Sequence, residues 1–165
     1  MSELHEIVAT LARRVQALED ELAIHRLMAS YGLAVDTGDA ERTAALFAED
    51  AVYDVDVLVM HGRDDVRAMV TGTMHQALLP NCAHQMGPAV VEVAGDRATA
   101  TGYSRVYLRK GDAVQVYRVS FNRWEFERRN GHWQVVRRTT RLLGHPEAAR
   151  LFAPAEAERT DRTAD

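Results

Sequence analysis

The chain has 165 residues and a mass of 18.4 kDa, the size of one domain with room for an internal cavity. It is 47% hydrophobic and 27% charged, which excludes a disordered chain, and no apolar run reaches the roughly 20 residues of a membrane-spanning helix. Lys and Arg number 20 against 24 Asp and Glu, with pI near 6.0, a balance that argues against nucleic-acid binding; the single cysteine, Cys82, excludes an internal disulfide and a multi-cysteine metal centre.

The first segment is charged and periodic, unlike a secretory signal, so a cytoplasmic location is expected. Leu4, Leu11 and Leu18 recur every seven residues, interleaved with Val8, Val15 and Leu22, and predict a helix with one apolar seam. That seam either packs on its own domain or meets another subunit. A second helical stretch, Ala23 to Val35, carries Ile24, Leu27, Met28, Tyr31 and Val35 on one face. Thr37-Gly38-Asp39 breaks it, and Asp39 is placed to cap a short helix running through Phe47.

From Ala51 to Met60 a β-branched run predicts a strand, and Gly62 and Asp64 open a helix that runs to about Leu79, where Pro80 stops it. Four strands follow, Ala83–Val93, Arg97–Arg109, Ala113–Arg128 and His132–Leu143. They are separated by the hairpin signals Gly95-Asp96, Lys110-Gly111-Asp112 and Asn130-Gly131. Helices first and an antiparallel meander last predict one α+β domain over residues 1–143, with residues 1–22 as a helical extension. The polar residues 144–165 form a tail expected to fray.

No phosphate-loop, dinucleotide, zinc-peptidase or serine-hydrolase motif is present, so the catalytic vocabulary is histidine, carboxylate, tyrosine and arginine. Asp36 closes an apolar helix face, where it is either a solvated helix-end residue or a carboxylate turned toward the sheet. Tyr31, five residues earlier, differs from it by about 140° around a helix but can converge on the same pocket mouth. His84 begins a strand; the seven histidines show no metal-ligand spacing, so neither a metal nor a cofactor is expected. His61 and His75 read as surface residues and Cys82 as a small core residue. Ser120 shares a face with Asn122, and Val136 with Arg138 and Thr140; alternation puts Arg137 and Arg138 on opposite faces without saying which points in.

The order of these features resembles the SnoaL-like branch of the cone-shaped α+β barrels related to nuclear transport factor 2, with scytalone dehydratase, bile-acid 7α-dehydratase and lindane dehydrochlorinase closest in look. The segments that carry the resemblance are LMASYGLAVDTGDAERTAALFAEDAVYDVD, HGRDDV, CAHQMGP and RRNGHWQVVRRTT, within about Leu18 to Leu143. The resemblance implies a curved antiparallel sheet with N-terminal helices on its concave face. It implies a catalytic pair at Asp36 and His84, with Tyr31 and an inward-facing Arg138 beside them. It also implies substrate contacts from Tyr53, Ser120 and Asn122, beside which Met86 is a candidate apolar contact. The second histidine of scytalone dehydratase has no counterpart among Tyr103, Arg105 and Tyr107, which sets that substrate aside. A homo-oligomer is implied too, trimer ahead of dimer.

The chemistry expected of such a set is elimination. An imidazole, with an ordinary pKa near ~6.5, can take a carbon-bound proton at neutral pH. A carboxylate on one ring nitrogen fixes the tautomer and supports the imidazolium. Leu58, Met69, Met74, Met86 and Val90 are candidate apolar walls for a hydroxylated ring, polyketide-like or steroid-like substrate. An isomerase or cyclase on the same scaffold, or a protein that only binds small hydrophobic ligands, are the alternatives.

Overall fold

The structure, a computed structural model, describes residues 3–56 and 58–151. A single helix, α1 (Glu3–Asp36), replaces the two predicted helical stretches, because nothing between Leu22 and Ala23 breaks the backbone. Residues 3–19 are exposed throughout, and burial begins at Asp20. From there Ile24, Met28, Tyr31 and Val35 form the stripe that packs on the sheet. Asp39 caps α2 (Ala40–Ala45) as expected, its carboxylate accepting the Arg42 N–H at 2.9 Å. The helix ends sooner than predicted. Phe47 is fully buried and opens β1 (Phe47–Val55), whose pairing with the last strand captures it.

The predicted strand Ala51–Met60 is a hairpin instead: β1 turns at Asp56, with φ +42°, into β2 (Leu58–His61). The following helix divides at Gly72 into α3 (Gly62–Thr71) and α4 (Thr73–Gln76), and stops short of Leu79. The meander matches its expected positions closely: β3 (Cys82–Ala94), β4 (Arg97–Lys110), β5 (Ala113–Arg129) and β6 (His132–Leu142). Asn130 and Gly131 both take positive φ, as a two-residue turn of this hand requires.

The six strands form one curved, unclosed sheet in the order β2-β1-β6-β5-β4-β3. All neighbours are antiparallel except β1 and β6, which run parallel, a pairing that the expectation of an antiparallel sheet missed. Trp124, Phe126 and Val135 meet the α1 stripe in the core. A one-turn helix, α5 (Ala148–Leu151), buries Ala148 and Leu151 against the last strands; residues 152–165 of the predicted tail lie outside the described residues. Among the described residues no helix is long and apolar enough to cross a membrane.

Candidate active site

The site forms where the C-terminal end of α1 meets the start of β3, and Gly32 makes that meeting possible. A Cβ at Gly32 would overlap the His84 carbonyl oxygen, so only glycine lets the helix lie this close to the strand. The approach carries Asp36 onto His84. One carboxylate oxygen accepts from the imidazole Nδ1 at 2.6 Å, and the other from the His84 backbone N–H at 2.6 Å. Asp36 is therefore turned toward the sheet. With Nδ1 donating to a carboxylate, the lone pair of the neutral ring sits on Nε2.

His84 lines a cavity of about 250 Å³ between the helices and the sheet. Tyr31, Tyr53, Ser120, Arg138 and Thr140 line it as well, together with Val35, Met60, Met69 and Val106. Of the apolar walls expected from sequence, Leu58, Met69 and Met74 border the cavity, Met74 as an exposed rim residue. Val90 does not: it is 69% exposed, because its position in β3 points to the outer face.

Arg138 faces in and Arg137 faces out. Its guanidinium carbon lies 4.0 Å from the Trp124 ring centroid, 4.3 Å from Tyr31 and 4.6 Å from Tyr53. Nε and Nη2 donate to the Asn122 carbonyl oxygen at 3.2 and 2.9 Å, and Nη2 approaches the Met86 sulfur at 3.6 Å. Among the described residues no carboxylate pairs with this cation, and its Nη1 is buried without a hydrogen-bond partner. Asn122 is itself held, donating to Ser104 at 2.7 Å and accepting from Thr140 at 2.9 Å. Asn122 and Met86 thus stand behind Arg138, outside the cavity lining. Ser120 presents its side chain at the wall, where its hydroxyl accepts from Arg118 at 2.8 Å. Arg118 in turn pairs with Asp56 at the cavity mouth.

The hydroxyls of Tyr31 and Tyr53 lie 3.3 Å apart. Burial, reinforced by Tyr53, pushes the Tyr31 phenol far above its ordinary range despite the opposing pull of Arg138, so Tyr31 keeps its proton at neutral pH and can donate a hydrogen bond.

Three features here escaped the sequence reading, among them a contact of Cys82, which is buried as expected of a core residue. His75, expected on the surface, is buried; its Nε2 donates to the Val35 carbonyl at 2.8 Å, and its ring stands 6.0 Å from that of His84. The Cys82 thiol is directed at the Asp36 carboxylate at 3.6 Å, and burial, then the Asp36 charge, raise it to about 11. Gly32 is the third; a glycine inside an apolar helical pattern is the one signal that could have drawn attention to it.

Ligand-capable atoms of Asp36, Cys82 and His84 lie within 4.8 Å of one another. Their polar needs are met by the imidazole N–H and a protonated thiol, both donating to one carboxylate. The set therefore fits a hydrogen-bonded cluster better than a cation, which would need the thiolate.

No curated protein matches this sequence. Among solved structures, a nuclear-transport-factor-2-like protein with a cystatin-like fold from Novosphingobium aromaticivorans is 40% identical, with a TM-score of 0.85 over 88% of this chain and 97% of that one. A protein of unknown function from Mycobacterium tuberculosis shares 23% identity and a TM-score of 0.71, over 82% of this chain and 86% of that chain. A candidate scytalone dehydratase from N. aromaticivorans shares 20% identity and a TM-score of 0.63, over 76% and 85%, a likeness of fold alone. Residues 16–139 match the SnoaL-like domain, and with that match spanning most of the chain the protein belongs to the SnoaL-like family.

Proposed function

We propose that the protein is a cofactor-independent lyase that eliminates water from a small hydroxylated cyclic ketone or a related polyketide-like compound. The observation that carries this reading is the pairing, across one cavity, of a histidine whose lone pair is set by Asp36 with a buried arginine that has no counter-ion. Burying an unpaired guanidinium costs several kcal/mol, and an electron-rich substrate oxygen would repay that cost in the transition state.

In the proposed reaction His84 Nε2 removes a proton from the carbon next to the substrate carbonyl. Asp36 stabilises the imidazolium that forms. Negative charge gathers on the carbonyl oxygen, which the Arg138 guanidinium at the cavity wall stabilises. The C–O bond to the hydroxyl on the next carbon then breaks as the protonated His84 supplies the proton that makes the leaving group water, with the Tyr31 hydroxyl hydrogen-bonded to the departing oxygen. One C–H and one C–O bond are lost and one C=C bond is formed, with no redox change. A cavity of about 250 Å³ lies below the roughly 300–1,000 Å³ of drug-sized sites, and so favours a single ring or fused pair over a steroid.

A panel of β-hydroxy ketones and β-hydroxy thioesters, followed by the ultraviolet absorbance of the conjugated product, tests this. Turnover by the wild type that falls about 10²–10⁴-fold in His84→Ala supports elimination by this histidine. Exchange of the substrate α-proton with solvent, without loss of water, would point to the isomerase alternative. Binding without either reaction would leave a ligand carrier.

A further inference from the structure

We infer that the exposed N-terminal half of α1 is the contact through which two copies of this chain associate, as a parallel two-stranded coiled coil. Leu4, Val8, Leu11, Val15, Leu18 and Leu22 alternate at spacings of four and three residues, and all lie exposed, from 48% at Leu22 to 68% at Leu4. The domain cannot cover them. Asp20 and Ile24, which begin its packing stripe, stand two residues either side of Leu22, about 200° away around the helix. A row of six large apolar side chains on a helix that leaves its own domain calls for a partner of the same periodicity.

The residue types choose the partner and its orientation. Val8, Val15 and Leu22 take the a positions, and Leu4, Leu11 and Leu18 the d positions. Valine at a with leucine at d favours two parallel strands over the trimer that the family resemblance implied. The flanking charges agree. In a parallel pair each g residue faces the e residue five positions later on the other strand, which sets Arg14 against Glu19 and Glu21 against Arg26. Both contacts are attractive and both occur twice. An antiparallel pair centred on the same seam would set Arg14 against Arg14. The seam ends where the helix enters the domain: the next d and a residues are His25 and Ala29, too polar and too small to extend it.

Sedimentation of the full chain at micromolar concentration tests this. The wild type should run at twice the mass of Leu11→Glu/Val15→Glu. Because that double variant could also unwind the projecting helix, the charges supply the second arm. Arg14→Glu should weaken the dimer at least tenfold, and Arg14→Glu/Glu19→Arg should restore it. A wild-type monomer or trimer, or a dimer indifferent to both sets of substitutions, overturns the inference.

Discussion

Arg128 on β5 and Arg138 on β6 both lay a guanidinium over an aromatic ring and both meet helix α1, yet their charges are answered differently. Arg128 stacks on Trp133 at 4.5 Å and is paired with Asp20 at 2.7 Å and Asp96 at 3.0 Å. Burial alone would raise the Asp20 carboxyl; hydrogen bonds from Arg128, Trp133 and Gln16 outweigh it and hold Asp20 below the usual carboxylate range. Arg138, more deeply buried, is met among the described residues only by an amide oxygen, a thioether and three rings. A charge kept for the fold is neutralised by the fold. A charge left without a carboxylate is available to something that enters the cavity.

Substitutions at the two arginines should therefore separate activity from stability. Within this comparison the largest effect is expected at Arg138: Arg138→Met should lower kcat and kcat/KM together by about 10²–10³-fold on any substrate that the elimination panel returns, while the melting temperature holds or rises. Loss of affinity with kcat intact would reduce Arg138 to a binding group. Next comes Gly32→Ala, which should cost about 1–3 kcal/mol in denaturant unfolding by pushing α1 off β3, and should slow turnover by parting Asp36 from His84. Full activity in a stable Gly32→Ala protein would show that the close approach does not set the site.

Asp20→Asn should do the reverse of Arg138→Met, costing about 1–3 kcal/mol at neutral pH with turnover per folded molecule unchanged. The sign of its pH dependence follows from the lowered carboxyl. Folded Asp20 holds its proton more weakly than the unfolded chain does. Its contribution is thus complete above the usual carboxylate range and is lost as the pH falls through its lowered value. Urea denaturation of the two proteins should show a gap that closes in acid. The smallest effect is chemical. Cys82, raised to about 11, should react with iodoacetamide slowly at neutral pH and faster only as the pH approaches that value. Rapid labelling at pH 7 would mean that the thiol does not sit against Asp36 as a proton donor.

The meander and its turns were legible because hairpin signals are local: Gly95, Gly111 and the Asn130-Gly131 pair mark chain reversals by their own backbone preferences. The β1–β2 hairpin was not, since Asp56 stands alone between valines with no glycine, asparagine or proline beside it to mark a reversal, and its positive φ is held by contacts with β6. The same limit applies to β6. Alternation puts Val136 on the face of Arg138, but a bulge opposite Glu125 and Phe126 breaks the phase and Val135 turns in. Asp36 and His84 were visible as residue types at element ends. Their contact depends on a helix–strand approach set by Gly32, and neither periodicity nor composition reports the distance between elements far apart in sequence. His75 was missed for the same reason, because its partner is a backbone carbonyl forty residues away.

The central claim, that the cavity holds a cation reserved for a developing oxyanion, can be tested without knowing the substrate. A nitrophenol that is half-ionised near neutral pH in water changes its visible spectrum with ionisation, and so reports its own charge when bound. Titrated into the wild type, it should bind as the phenolate and ionise at a lower pH than in solution. Arg128→Met should bind it in the same way, and Arg138→Met should lose the downward shift. A nitrophenol that binds in its neutral form to the wild type, or that ionises identically in Arg138→Met, would contradict the account.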